Sequence, residues 1–321
     1  MTTNGTIVIV GAGVIGLTTA VTLQEAGRQV HVIAEEIPGR TSLAAGAMWG
    51  PYLVEPWKKV REWSLVSLAA FTDLAYDTPN TGVRLTTGIE AARHPMPAPE
   101  WSELLPDFRP CTHDELPAGF EAGHRFTVPL IDMPVYLAYL QRRYESAGGT
   151  LEQRTLASLD DVTGAEAIVN CSGMGATDLA DDLELRPVHG LHVVIENPGI
   201  TEFFSEDTGY SPELVCTYPH GDTIVLGGTA VDDEHLTEAL EPAARAIIDR
   251  NATIDPRLAK ARVIEHRVGM RPTRPEVRVE AGKRHDGTPV IHNYGHGGAG
   301  VTLSWGCARE VATVLTAPAH R

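Results

Sequence analysis

The sequence predicts an α/β protein. One α/β domain is interrupted along the chain, and a second, mostly β domain fills the gaps. Three stretches predict it. "TIVIVGAGVIGLTTAVTLQEAGRQVHVIAE" (6–35) reads as strand, glycine turn, helix and strand. "EAIVNCSGMGA" (166–176) reads as a buried strand ending in a glycine turn. "HNYGHGGAGVTLSWG" (292–306) carries five glycines in fifteen residues between a strand and an apolar helix. Elements of one type thus sit at the start, middle and end of the chain.

Each element has a local reason. Thr6–Val10 is an apolar strand. Val14, Leu17, Val21 and Leu23 give helical spacing over Val14–Glu25, and Gly27 ends that helix. Val30–Ala34 is the next strand. The proline-rich segment 93–119 falls outside regular structure. "MPVYLAYLQRRYESAGG" (133–149) predicts an amphipathic helix, with Pro134 in its first turn and Gly148 at its stop. Segment 222–229 predicts a strand and 237–254 a helix. "PVIHNY" (289–294) is a strand feeding the glycine-rich stretch, and 300–315 is the helix after it.

Composition narrows the class. Hydrophobic residues make up 43% and charged residues 21%, ordinary for a globular protein. The net charge of −16 speaks against nucleic acid or an anionic membrane as partner, since basic patches read both. The 4 cysteines (Cys111, Cys171, Cys216, Cys307) lie far apart and read as free thiols in a reducing compartment, with no metal-site spacing. No apolar run reaches the roughly 20 residues a membrane helix needs. No basic segment precedes a long apolar run, so no signal peptide is expected. The expectation is a cytoplasmic enzyme.

"GAGVIG" (11–16) is G-x-G-x-x-G, directly after a strand and opening a helix. Gly11 permits the tight turn, Gly13 lets backbone approach a pyrophosphate, and Gly16 lets helix and strand pack. Glu35 closes the second strand, where an acid bonds a ribose hydroxyl and disfavours a 2′-phosphate. This Rossmann-like fingerprint serves FAD and NAD alike. The element at 289–315 favours a flavin: it aims amides and a positive helix end at a second point on the ligand. A reduced flavin carries negative charge there, around N1 and the C2 carbonyl. "VGMRPTRPEV" (268–277) holds Arg271 and Arg274, each before a proline that restricts its backbone. Such a guanidinium suits a bidentate grip on a carboxylate, though a solvated surface turn explains the pattern equally well.

"VIVGAGVIGLTTA" (8–20), "AAGAMWGPYL" (44–53), "IVNCSG" (168–173), "VLGGT" (225–229), "GMRPTRPEVRVE" (269–280) and "HNYGHGGAGVTLSWGCAREVA" (292–312) together resemble the D-amino acid oxidase family. The matches keep their order across nearly the whole chain. The resemblance implies an FAD-binding domain (1–48, 130–190, 285–321) and an α+β substrate domain on a large antiparallel sheet (49–129, 191–284). It implies FAD-dependent oxidation of D-amino acids by oxygen, with hydride passing from Cα to flavin N5. The products are 2-keto acid, ammonia and hydrogen peroxide.

The resemblance also implies residue roles. Gly11, Ala12, Gly13, Ile15 and Gly16 cradle the pyrophosphate, and Glu35 takes the adenosine ribose. Thr41, Ser42, Ala45 and Gly46 approach the flavin and its phosphates. Leu156 lies near the adenine and Ser172 near the cofactor. The turn bearing Gly297, Gly298, Gly300, Val301 and Thr302 meets the pyrimidine end of the flavin. Arg271 binds the substrate carboxylate, and the Gly298 carbonyl accepts a bond from the amine. No side-chain base and no metal are expected. His296 is the one histidine placed near the flavin, and Trp49, Trp57, Trp63 and Trp305 read as packing residues.

The chain departs from the family at several positions. The family's tyrosine three residues before Pro219 is Cys216 here. Tyr218 shares a strand face with Cys216 and is the candidate substitute. Tyr210 is the candidate for the pocket tyrosine on the lid. A polar residue often found before "PYL" is Gly50, and a tyrosine sometimes found after "HGG" is Ala299. Region 200–220 holds no Arg or Lys, only His220, which favours neutral D-amino acids over D-aspartate. Glycine or sarcosine oxidation, an NAD-linked dehydrogenase and a flavoprotein without turnover stay open as alternatives. A homodimer is the assembly to test for.

Overall fold

A computed structural model describes residues 5–51, 53–206, 213–230 and 240–316. In chain order the strands and helices are β1 (Thr6–Val10), α1 (Val14–Glu25), β2 (Gln29–Ala34), α2 (Arg40–Leu43), α3 (Trp57–Leu74), α4 (Thr78–Thr81), β3 (Val83–Ala92), β4 (Arg109–Pro110), β5 (Ala122–Ile131), α5 (Met133–Ser146), β6 (Thr150–Gln153), β7 (Ala167–Asn170), α6 (Ala176–Leu179), β8 (Arg186–Glu196), β9 (Phe203–Glu206), β10 (Glu213–Pro219), β11 (Thr223–Thr229), α7 (Leu240–Ala252), β12 (Val263–Lys283), β13 (Pro289–His296) and α8 (Gly300–Thr316).

The strands form a 13-stranded sheet in the order β4-β5-β3-β9-β10-β11-β8-β12-β13-β7-β1-β2-β6. From β13 to β6 every pairing is parallel. From β4 to β12 the pairings are antiparallel, except β3 with β9, which is parallel. The 21-residue β12 pairs β8 on one side and β13 on the other, and so welds the two halves together.

The fingerprint helix α1 is buried at Val14, Gly16, Leu17, Thr18, Thr19, Ala20, Val21 and Leu23, because the sheet covers one side and α5 and α8 the others. In the antiparallel half, strand alternation separates two faces. Leu191, Val193 and Ile195 of β8 join Ile224 and Leu226 of β11 in a core under α7. Gly190 and His192 project from the opposite face.

Two features differ from the sequence expectation, and two expectations reach residues outside those described. No element is expected over 57–74, where α3 stands with Val60, Trp63, Ser64, Ser67 and Phe71 on its buried face. Ser67 is buried because its hydroxyl accepts from the Gly306 amide, where α3 and α8 touch. Segment 93–119 forms 3-10 turns at Glu100–Leu104 and His113–Glu115 and the short strand β4, with Trp101 and Phe108 packed on Phe126. The helix expected over 237–254 is described over Leu240–Ala252, and 237–239 lie outside the described residues. Tyr210 also lies outside the described residues.

Among the described residues no helix is long and apolar enough to cross a membrane. Nor does any group of three or more His, Cys, Asp or Glu stand where it could hold a metal.

Candidate active site

Strands β1, β7 and β13 run parallel, so their C-terminal ends share one edge of the sheet, where ligands of such sheets bind. At the first end, Gly11 has φ +113, and a Cβ there would stand 2.4 Å from the Cys171 carbonyl oxygen. A Cβ on Gly16 would stand 1.9 Å from the Gly11 oxygen. Only glycine fits either place. The Val14 amide, first in α1, donates to Ser42 Oγ at 2.9 Å, and the Gly39 amide donates to the Ala12 carbonyl. The segment after β2 therefore folds back over the helix start, where a phosphate is favoured. Ile15 packs into the core, leaving its backbone for the turn. Glu35 follows β2 and is exposed. Leu156 packs beside Val8, Val10 and Ile33 at the same edge.

At the second end, Ser172 donates its hydroxyl to Asn170 Oδ1 at 2.7 Å. At the third, Gly297 has φ +53 and opens a 3-10 turn, Gly297–Ala299, that leads into α8. Gly298 is exposed, while Ala299 points into a core with Trp63, Val277 and Leu303. The Thr302 hydroxyl bonds the Gly50 amide and carbonyl, each at 3.1 Å, so its side chain clasps Gly50 and only its backbone is left for a ligand. Two buried polar atoms beside these turns, Asn170 Nδ2 and His296 Nε2, have no partner among the described residues. Burial pulls His296 down to about 3, so its ring is neutral. Glycine cradle, helix start and waiting polar atoms fit a dinucleotide such as FAD.

The segment after α2 then crosses the glycine-lined face of the antiparallel half. Thr41 donates to the Met270 carbonyl at 3.1 Å. A Cβ on Gly269 would meet Ala44 Cβ at 2.7 Å. His192 Nδ1 lies 2.8 Å from the Ala44 carbonyl. A Cβ on Gly46 would meet the Tyr218 ring at 3.2 Å and His192 Nε2 at 3.3 Å.

On the same face Arg271 lies across Gly190, where a Cβ would stand 2.5 Å from Nη1, and Nη1 donates to the Thr229 carbonyl at 3.2 Å. Cys216 and Tyr218 share this face, and the Tyr218 side chain bonds those of Ser205 and Cys216. Burial pushes the Tyr218 hydroxyl well up and the Cys216 thiol to about 11, so both stay protonated.

Arg274 does not join Arg271. It pairs with the buried Asp182 at 3.2 Å and with Glu184, beside Arg278 and Tyr294. The bulge between Thr273 and Arg278 separates the two arginines. The tryptophans pack as expected: the Trp49, Trp63 and Trp305 indoles donate to Ser64, Glu310 and Tyr136. Sequence reasoning missed His192, Gly190 and Thr229. "VHGLHVV" (188–194) carried a signal, a glycine and a histidine two apart on one strand face. His220 also reaches Gly46, bonding its backbone.

A family model described as FAD dependent oxidoreductase matches residues 6–314. A D-amino-acid oxidase of Rubrobacter xylanophilus is 46% identical, covering 97% of this chain and 95% of that one. A D-amino-acid oxidase of Streptomyces coelicolor is 43% identical over 98% of this chain and 97% of its own. A human D-aspartate oxidase is 31% identical over 98% of this chain and 95% of its own. Among solved structures, glycine oxidase from Geobacillus kaustophilus superposes with a TM-score of 0.77 at 20% identity, covering 97% of this chain and 95% of that chain.

Proposed function

The chain belongs to the FAD-dependent oxidoreductase family that includes the D-amino-acid oxidases, and on that premise we propose that it oxidises neutral D-amino acids to 2-keto acids. Oxygen is the acceptor, and ammonia and hydrogen peroxide are the other products. One observation carries the reading: a single sheet face bears Arg271, folded over Gly190, and the Ala44–Gly46 segment tied to the phosphate cradle through Ser42.

Bound FAD supplies the two-electron acceptor. Gly11, Gly13, Gly16 and Ser42 would hold its pyrophosphate, Glu35 its ribose, and the 297–302 amides its pyrimidine end. Arg271 grips the substrate carboxylate by a charge-assisted bond. The exposed Gly298 carbonyl accepts an N–H of the neutral amine. These two anchors would fix the orientation of the Cα–H bond, and the handedness of that arrangement would select the D isomer. Tyr218 stands in for the tyrosine missing at Cys216. Positioning and electrostatics do the work, so no side-chain base is assigned.

We divide the chain into an FAD-binding domain (1–48, 130–190, 285–321) and a substrate domain (49–129, 191–284). We place the protein in the cytoplasm and propose a homodimer.

Acidic D-amino acids are the second reading. Arg84 and Arg267 come from strands outside the lid region and lie close enough to His220 to help burial depress its pKa to about 4. The deciding experiment is anaerobic. D-methionine, L-methionine and D-aspartate are each mixed with the purified protein, and the visible spectrum is recorded. Bleaching of the flavin band by D-methionine alone is expected. Bleaching by D-aspartate alone favours the second reading, and a flavin that no D-amino acid bleaches defeats both.

A further inference from the structure

His192 is buried, 8% exposed, on the face that carries Arg271. Its Nδ1 lies 2.8 Å from the Ala44 carbonyl, which only accepts, so Nδ1 carries the proton. Burial first, and then the charge of Arg271, hold the imidazole down at about 4. The ring is therefore neutral, and Nε2 keeps a lone pair. Glycines surround it: Cβ atoms on Gly46, Gly227 and Gly228 would stand 3.3, 3.5 and 3.4 Å from Nε2. A Cβ on Gly46 or Gly228 would press on the ring, and one on Gly227 would touch it. Ala44 caps α2, two residues beyond Ser42, whose hydroxyl receives the first amide of α1. Two residues further on lies Gly46, against Tyr218. The hydrogen bond thus runs from the arginine-bearing face to the segment that joins phosphate cradle and pocket.

We propose that His192 is a positioning residue. By donating Nδ1–H to the Ala44 carbonyl it holds the 42–46 segment, and with it the bound flavin, in register with Arg271. This rests on the FAD reading above. Thr41 makes the other tie to the sheet, on β12 at Met270. It precedes Ser42, and His220 bonds the backbone further on at Gly46, so His192 is the tie at Ala44, between the phosphate cradle and the part nearest Tyr218.

The test compares His192→Asn, His192→Gln and His192→Leu with the unchanged protein. Asparagine places an amide N–H where Nδ1 stands, glutamine places one where Nε2 stands, and leucine fills the space with no donor. The FAD dissociation constant of each apoprotein is measured by titration. The flavin reduction rate and the KM for D-methionine are then measured at saturating FAD.

The expected result is FAD binding at least tenfold weaker and reduction at least tenfold slower in the Gln and Leu proteins, with KM within threefold. The Asn protein is expected within threefold of the unchanged protein on every measure. A merely structural role would not be rescued by Asn and refused by Gln. Equal values for Asn and Gln overturn the proposal. Should the Leu protein fail to fold, the Asn–Gln contrast decides alone. An unchanged protein that binds no FAD overturns the parent reading and this one together, whereas FAD binding identical in all four overturns this one only.

Discussion

The guanidinium of Arg271 rests on the bare backbone of Gly190, so that a Cβ there would stand 2.5 Å from Nη1 and 2.8 Å from Cζ. The glycine makes the berth in which the arginine lies. Gly190→Ala is expected to shift the guanidinium and to lower kcat/KM for D-methionine about 100-fold, about 3 kcal/mol of transition-state binding. Arg271→Ala is expected to cost about 3–5 kcal/mol. Both proteins should keep their FAD. Steady-state kinetics beside flavin content checks this, and wild-type kinetics in Gly190→Ala would refute the berth.

Gly16 has no room for a methyl group, because the obstacle is the Gly11 carbonyl at 1.9 Å, and backbone cannot swing aside. Gly16→Ala is expected to lose about 1–3 kcal/mol of stability from overpacking. It should also emerge from purification largely without FAD. Chemical unfolding and the flavin-to-protein absorbance ratio are the measurements.

Cys216 and Gly227 are cross-strand neighbours, and a Cβ on Gly227 would stand 2.1 Å from Sγ. Gly227→Ala should destabilise by about 1–3 kcal/mol. Cys216→Ala in the same chain should return most of that, giving a coupling of at least about 1 kcal/mol. Additive effects in urea unfolding would refute the contact.

Three of the four buried histidines among the described residues are held far enough below their ordinary value to make the fold acid-sensitive. Burial is the first cause at each, and it holds His192 and His220 at about 4 and His296 at about 3. Their folded-state values lie below the ordinary 6.5, so the unfolded chain binds protons that the folded one refuses. Stability is complete above about pH 6.5 and falls as pH drops toward 4, by about 1.4 kcal/mol per unit for each histidine. Melting temperatures at pH 7.5, 6 and 5 should decrease in that order, and the pH 6-to-5 drop should shrink in His192→Asn.

Gly50 has open space beside it: a Cβ there would meet only Met48 Cε, at 4.0 Å. Gly50→Leu is expected to change stability by less than about 0.5 kcal/mol. Because Thr302, in the turn proposed to meet the flavin, clasps Gly50, the added side chain is expected to raise KM for D-phenylalanine more than for D-alanine. Equal KM changes for both substrates would move Gly50 out of the substrate pocket.

By itself the sequence determined the elements whose causes are local. G-x-G-x-x-G between a strand and a helix dictates the turn at Gly11, since φ +113 excludes other residues there. Apolar spacing dictates α1, whose ends at Val14 and Glu25 are the ones its pattern predicts. The Cys216–Tyr218 face follows from strand alternation alone. The tertiary structure decided what depends on pairing between distant strands. Arg271 and Arg274 look alike in the sequence, but register with β8 lays Arg271 over Gly190, while the bulge after Thr273 sends Arg274 to Asp182. Ser67 of α3 accepts from the Gly306 amide of α8 across 239 residues. His192 meets Ala44 across 148 residues. A side chain's partner at such separation depends on the register of intervening strands, and no local pattern in the chain encodes it.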